Sequence, residues 1–284
     1  MELKFSDDTL DLDEARVMGV LNVTPDSFSD GGKYQNIDAA VDHAINMTAA
    51  GAHLIDVGGE STRPGANSIC ENEEIDRVVP VIEILSKELK IPISLDTSKA
   101  GVMKAGVAAG ASMINDVRSL SSPGSLEAAA ALDVPVCLMH MQGKPKNMQN
   151  NPSYHSLINE VLNFFEKRVS LAVAAGIPRD RLLIDPGFGF GKTLDHNLEL
   201  LQNLDKFLSV ELPILVGLSR KSMIGSLLEN LGVKNSKPND YQRVLGSVAL
   251  SLFAANKGAH ILRVHDVEET VIALGVSAAV NIPT

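Results

Sequence analysis

The chain has 284 residues, with 25 Lys and Arg against 35 Asp and Glu, so its formal charge is −10. That balance disfavours a nucleic-acid backbone or an anionic membrane as the main partner. Hydrophobic residues at 45% can build a large core, and two cysteines, Cys70 and Cys137, exclude a multi-disulfide scaffold or a four-cysteine zinc ribbon. Residues 1–13 are acidic and carry no long apolar run, so no secretory signal is expected. The longest apolar stretch, around Val244 to Ala255, is interrupted and too short to span a bilayer. The expectation is a cytoplasmic globular protein with one domain over 1–284.

Short apolar runs recur along the chain: Arg16–Leu21, His53–Val57, Ile91–Leu95, Ser112–Ile114, Pro135–Met139, Leu182–Ile184, Pro213–Leu218 and His260–Val264. Several are near-continuous rather than alternating, which suits parallel strands covered on both faces. Between the first two, Ile37, Ala40, Val41, Ala44, Ile45 and Thr48 follow helical spacing and predict one buried stripe. Gly51, Gly110, Gly176 and Gly258 each precede an apolar run, as helix-terminating glycines would. Eight strands alternating with helices predict a single α/β domain, a (β/α)8 TIM barrel, with a doubly wound open sheet as the alternative.

A barrel carries its site at the C-terminal ends of its strands. Here the runs end in Asn22, Glu60, Asp96, Asn115 with Asp116, His140, Asp185, Ser219-Arg220-Lys221, and Arg263 with His265. Any one alone reads equally well as a solvated loop residue or a helix cap. So many at one end predict a site, and Arg263 and His265 share strand parity. Two polar, glycine-containing loops, 22–32 with Phe28 at its tip and 58–65, follow the first and second strands and read as mobile lids.

The segment Asp185-Pro-Gly-Phe-Gly-Phe-Gly191-Lys192-Thr193 superficially suggests a phosphate-cradling loop. That motif needs glycine five residues before Gly191, where Pro186 stands with its φ locked, so a nucleotide site is rejected. The glycines instead leave Asp185 facing an open pocket. His260 and His265 differ by an odd number and lack zinc spacing. Cys137 lies within an apolar strand and reads as a core thiol. Cys70 neighbours Glu71, Glu73 and Glu74, which disfavour a thiolate.

Asn22-Val-Thr-Pro-Asp-Ser-Phe-Ser-Asp-Gly-Gly32 and Asp56-Val-Gly-Gly-Glu-Ser-Thr-Arg-Pro-Gly65 closely resemble signature segments of the bacterial dihydropteroate synthase family. Asp96-Thr-Ser, Ile114-Asn-Asp-Val, Leu138-Met-His-Met, Asp185 to Lys192, Gly217 to Ser222 and Arg263-Val-His-Asp266 follow in family order. Each is modestly specific; the set is highly specific and covers essentially the whole chain. The resemblance implies a barrel, a homodimer, and the joining of 6-hydroxymethyl-7,8-dihydropterin pyrophosphate to p-aminobenzoate with release of pyrophosphate. Sulfonamides act on that family as p-aminobenzoate mimics. A non-catalytic pterin-binding paralogue is the alternative; related corrinoid-dependent methyltransferases are disfavoured by the two lid motifs.

By that resemblance, Asp96, Asn115, Met139, Asp185, Phe190 and Lys221 hold the pterin. Asn22, Thr62, Arg63, Arg263 and His265 meet pyrophosphate, and Phe28, Thr62, Arg63, Pro64 and Ser222 form the p-aminobenzoate subsite. Asp96, Lys221, Arg263 and His265 would act in catalysis, Asp96 by stabilising a pterin cation. The chemistry suits these types: an ionised carboxylate at Asp185 accepts an exocyclic amine and a ring N–H together. Asn22 would contact Mg2+, which prefers oxygen ligands and bridges phosphates, too sparsely to hold it tightly without substrate.

Overall fold

The expected strand–helix alternation is what the chain adopts in a computed structural model, which describes residues 1–5, 8–24, 33–62, 65–66, 68–233, 237 and 240–280. A hairpin of β1 (Glu2–Lys4) and β2 (Thr9–Asp11) leads into β3 (Arg16–Asn22), α1 (Lys33–Ala49), β4 (Leu54–Gly58), α2 (Glu71–Glu88) and β5 (Ile93–Asp96). There follow α3 (Ala100–Ala108), β6 (Met113–Asp116), α4 (Ser125–Ala131), β7 (Val136–Met139), α5 (Leu157–Ala174) and β8 (Leu182–Asp185). The last part comprises α6 (Leu194–Gln202), β9 (Leu215–Val216), α7 (Ser222–Asn230), α8 (Tyr241–Asn256), β10 (Ile261–Val264) and α9 (Val267–Val280).

The strands from β3 to β10 are parallel, in the order β8-β7-β6-β5-β4-β3-β10-β9. A parallel bridge between Ile184 and Ile214, with the Ile184 N–H donating to the Pro213 carbonyl at 3.0 Å, brings β8 to β9 and closes the ring. An open doubly wound sheet has no such contact. The run from Pro213 to Leu218 shrinks to a two-residue strand at this seam. Every residue of β4 to β8 is buried, as strands clad on both faces require. Gly51, Gly110, Gly176 and Gly258 have φ of 99°, 116°, 105° and 95°, the left-handed stop expected after a helix.

Two departures from the sequence reading concern packing. In α1 the buried residues are Ala40, Val41, Ala44 and Met47, whereas Ile45 is exposed. It lies one rung round from Ala44, at the margin of the buried arc. The second is the acidic N-terminal segment. Its Leu3, Phe5 and Leu12 insert under the barrel against Met18, Leu54, Met113, Cys137, Leu183, Leu215 and Ile261. These seven line the interior of the lower end, so the hairpin is a plug; each large apolar side chain buried contributes roughly 1.5–3 kcal/mol. Cys137 is thus a core thiol, its pKa pushed well up by burial. No helix among the described residues is long and apolar enough to cross a membrane.

Candidate active site

Strand parity takes each chain from this apolar layer to a polar one. Two residues beyond Leu54, Met113, Leu183 and Ile261 stand Asp56, Asn115, Asp185 and Arg263, pointing to the same interior. Asp96 joins them from the end of β5, where it pairs in register with Gly58 and Asn115. Arg263 donates from Nε to Asp56 Oδ2 at 2.5 Å and from Nη2 to Asp96 Oδ2 at 2.9 Å. Asn115 Nδ2 donates to the same Asp56 oxygen at 3.2 Å. Asp56 Oδ1 is buried with no hydrogen-bond partner among the described residues.

This arrangement sets the charges. Burial pushes the Asp96 carboxyl up to about 8 against the pull of Arg263, with Asp56 adding to the rise. Burial opposes the Arg263 cation too, but Asp56 and Asp96 outweigh it and hold its pKa above the ordinary arginine value. Asp56 is the central member that the sequence reading left without a role. Its signal was available: it lies between Leu54 and Gly58 with the parity of an inward residue.

On the β8 side, Asp185 Oδ1 accepts from the Gly187 N–H at 2.8 Å. Burial raises the Asp185 pKa, and Lys221 is the largest opposing influence. Lys221 ends its approach against the Phe188 carbonyl, 4.6 Å from the centroid of the Phe190 ring. Burial lowers its ammonium to about 8 despite Asp185. Met139 is buried at the end of β7. Gly217 lies beside both cations: a Cβ there would sit 3.9 Å from both the Arg263 side chain and Lys221 Nζ, in ordinary van der Waals contact. Asp185, Lys221 and Arg263 therefore converge on one space. The glycines after Asp185 also have a job beyond leaving it exposed, because a Cβ at Gly187 (φ 72°) would collide with the His140 carbonyl oxygen.

Around the mouth, Asn22 is half-buried at the end of β3 with the parity of Met18. The His265 N–H donates to the Ser219 hydroxyl at 3.1 Å, and Nδ1 shares a second contact of 3.1 Å with the same oxygen. Ser222 is exposed and opens α7. Thr62 lies on a cavity of about 540 Å3 that reaches from Glu60 and Ser61 to Asp96 and Ser98. Glu60 at the base of this loop accepts from Lys99 Nζ at 2.8 Å and from the Ile69 N–H at 3.0 Å. Phe28, Arg63 and Pro64 lie outside the described residues. Among the described residues no group of three or more His, Cys, Asp or Glu could cage a metal.

The sequence matches the family described as "Pterin binding enzyme" over residues 18–265. The chain belongs to the pterin-binding enzyme family. The matched segment runs from Met18 in the apolar layer to His265 at the mouth, so it contains all the polar groups described above. Among pterin-binding enzymes, the dihydropteroate synthase of Escherichia coli strain K12 is 52% identical over 279 residues, covering 98% of this chain and 96% of that one. The Yersinia pestis dihydropteroate synthase, solved with a sulfonamide drug complex, superposes with a TM-score of 0.93 at 54% identity and covers 100% of both chains. The Xanthomonas albilineans dihydropteroate synthase with 4-aminobenzoic acid gives 0.92 at 49% identity, covering 100% of this chain and 99% of that one.

Proposed function

We propose that this pterin-binding enzyme is a dihydropteroate synthase, joining 6-hydroxymethyl-7,8-dihydropterin pyrophosphate to p-aminobenzoate to give 7,8-dihydropteroate and pyrophosphate in folate biosynthesis. The observation that carries the reading is the convergence of Asp185, Lys221 and Arg263 with Asn115 and Asp96 inside a barrel that superposes so closely on the Yersinia pestis dihydropteroate synthase. Asp185, whose Oδ1 is already engaged by Gly187, turns its remaining acceptor capacity to the exocyclic amine and ring N–H of the pterin. Asn115 meets the mixed edge of the ring, Lys221 the carbonyl and ring-nitrogen side, and Met139 and Phe190 its faces.

The reaction in this reading is dissociative: pyrophosphate leaves, and a delocalised pterin cation awaits the amine without any side-chain nucleophile. Asp96 offsets the cation where charge develops. Arg263, His265, Arg63, Thr62 and Asn22 take the departing anion. Asn22 supplies an amide oxygen at the mouth, a fit for Mg2+ carried in on phosphate oxygens rather than caged by protein. There Mg2+ would neutralise charge on the leaving pyrophosphate. Phe28, Thr62, Arg63, Pro64 and Ser222 form the p-aminobenzoate subsite, the place a sulfonamide would take. In this reading p-aminobenzoate binds second, once pterin and pyrophosphate are in place.

The protein works in the cytoplasm as a homodimer in this reading. Supporting the dimer, Tyr241, Leu245 and Phe253 are exposed apolar side chains on α8, and Ile272, Val276 and Val280 form an exposed i, i+4 row on the adjacent α9. The deciding assay mixes pure protein, Mg2+ and both substrates and looks for dihydropteroate. Binding of pterin without product would leave a non-catalytic pterin-binding protein.

A further inference from the structure

The segment 187–191 runs from Asp185 into α6 with almost no regular structure, yet its carbonyls are all taken. Lys221 donates to that of Phe188, Gln149 to that of Gly189, and the Tyr154 hydroxyl to that of Gly191 at 2.8 Å. The remaining two, of which that of Gly187 also accepts from the Phe190 N–H at 3.1 Å, meet one side chain. Lys192 Nζ donates to the Gly187 carbonyl at 2.9 Å and the Phe190 carbonyl at 3.2 Å, and lies 3.0 Å from His140 Nδ1. Its side chain is 3% exposed. An ammonium has three donors and no acceptor, so Lys192 is fully satisfied in this position.

We propose that Lys192 is a positioning residue for the pterin subsite, its ammonium tying the end of β7 to the turn that carries Phe188 and Phe190. The consequence passes through two contacts already described. The Phe188 carbonyl fixes Lys221, and the Phe190 ring lies under the same ammonium. Lys192 touches neither, but it holds the carbonyls on either side, at Gly187 and Phe190. The third contact fixes the far end, because Nδ1 of His140 must accept and its ring proton then sits on Nε2. The ring is neutral, since burial and the nearby Lys192 drive its pKa far below the usual imidazole value. A His140 backbone N–H bond of 2.9 Å to the Asp185 carbonyl completes the link from β7 to β8.

The ammonium itself is finely poised. Burial lowers the Lys192 pKa to about 7, with Asp185 raising it and Lys221 lowering it. A neutral amine would offer two N–H donors to three acceptors, so the staple weakens as it deprotonates. Asp185 from β8, Lys221 from the start of α7 and His140 from the end of β7 are the titratable groups facing it.

The inference rests on the β8 end being the pterin subsite, and the controls separate the two. Calorimetry with 6-hydroxymethylpterin would compare wild type, Asp185→Asn, Lys192→Met, His140→Leu and His140→Asn. Lys192→Met keeps the aliphatic stem and removes three donors. It should raise the pterin Kd at least tenfold and raise KM for the pterin substrate, while KM for p-aminobenzoate stays within twofold. His140→Leu removes one acceptor and should weaken pterin about threefold to tenfold; His140→Asn restores an acceptor and should recover at least half of that loss on a logarithmic scale. If Lys192→Met does not fold, the His140 pair decides alone. Pterin affinity unchanged in folded Lys192→Met, or equal in the two His140 variants, overturns the staple. If wild type binds no pterin, or Asp185→Asn binds it normally, the subsite assignment fails instead.

Discussion

The lower and upper halves of the barrel interior are built by the same strands with the same parity, yet they solve opposite problems. Below, Met18, Leu54, Met113, Cys137, Leu183, Leu215 and Ile261 meet Leu3, Phe5 and Leu12 of the hairpin, and the contacts within the layer are apolar. One pleat higher, Asp56 and Asp96 are buried, and half-buried Arg263 holds them by charge and hydrogen bonds. The first arrangement gains from burial, at roughly 25 cal/mol per Å2 of apolar surface. The second loses hydration and recovers it only if every partner remains. A plug of neutral residues underneath lets the strained electrostatics above exist in a stable molecule.

The comparison breaks most visibly at Arg263. Arg263→Ala leaves the buried Asp56 carboxylate without its cation, and loss of one partner of a buried pair costs about 3–5 kcal/mol. Urea unfolding should register that loss; a change under about 1 kcal/mol, below even the cost of an ordinary buried unsatisfied group, would mean the pair is solvated in practice. In the lower half, Leu3→Ala should destabilise by about 2–5 kcal/mol, the range for a large-to-small core substitution. Here the ligand test is the sharper one, because pterin affinity of the folded variant should stay within twofold of wild type. A parallel loss of affinity would show that the halves are mechanically coupled.

Asp185→Asn tests the upper half from the ligand's side. The amide presents a donor to a substrate donor and removes charge, so pterin binding by calorimetry should weaken by about 1.5–3 kcal/mol, with folding little affected. A further effect is a slope rather than a single value. Asp96 titrates near 8 in the folded protein against 3.8 as a free side chain. The folded state therefore keeps a proton that the unfolded chain has lost, and this contribution to stability declines as pH rises from about 4 to about 8. Asp96→Asn should flatten that decline by up to about 1.4 kcal/mol per pH unit, the limit for one proton. Parallel curves would place the retained proton elsewhere.

How far these two halves could be read from sequence differs too. The strands were legible because near-continuous apolar runs and four helix-ending glycines recur in a grammar that needs no tertiary knowledge. The polar ends of those strands were legible for the same reason, and Asp96, Asn115, Asp185, Lys221 and Arg263 do share one interior. What remained hidden depends on closure. Asp56 and Arg263 are 207 residues apart, and they meet only because β10 pairs with β3, which pairs in turn with β4. The Lys192–His140 contact is similar, joining residues 52 apart across adjacent strands. The hairpin was missed because Leu3, Phe5 and Leu12 are scattered among acidic residues, and their receptor is assembled from seven other strands.

That receptor has a consequence for the order in which the molecule is made. A ribosome delivers Leu3 well before Leu215 and Ile261, yet the surface Leu3 occupies includes both. Synthesis proceeds at about 5–20 residues per second, so the hairpin waits for tens of seconds with nowhere to dock. Its contacts have nearly the greatest sequence separation the chain permits, and such contacts are the slow ones to form. The hairpin is thus made before its receptor and docks after it, and its docking marks the moment at which the ring is whole.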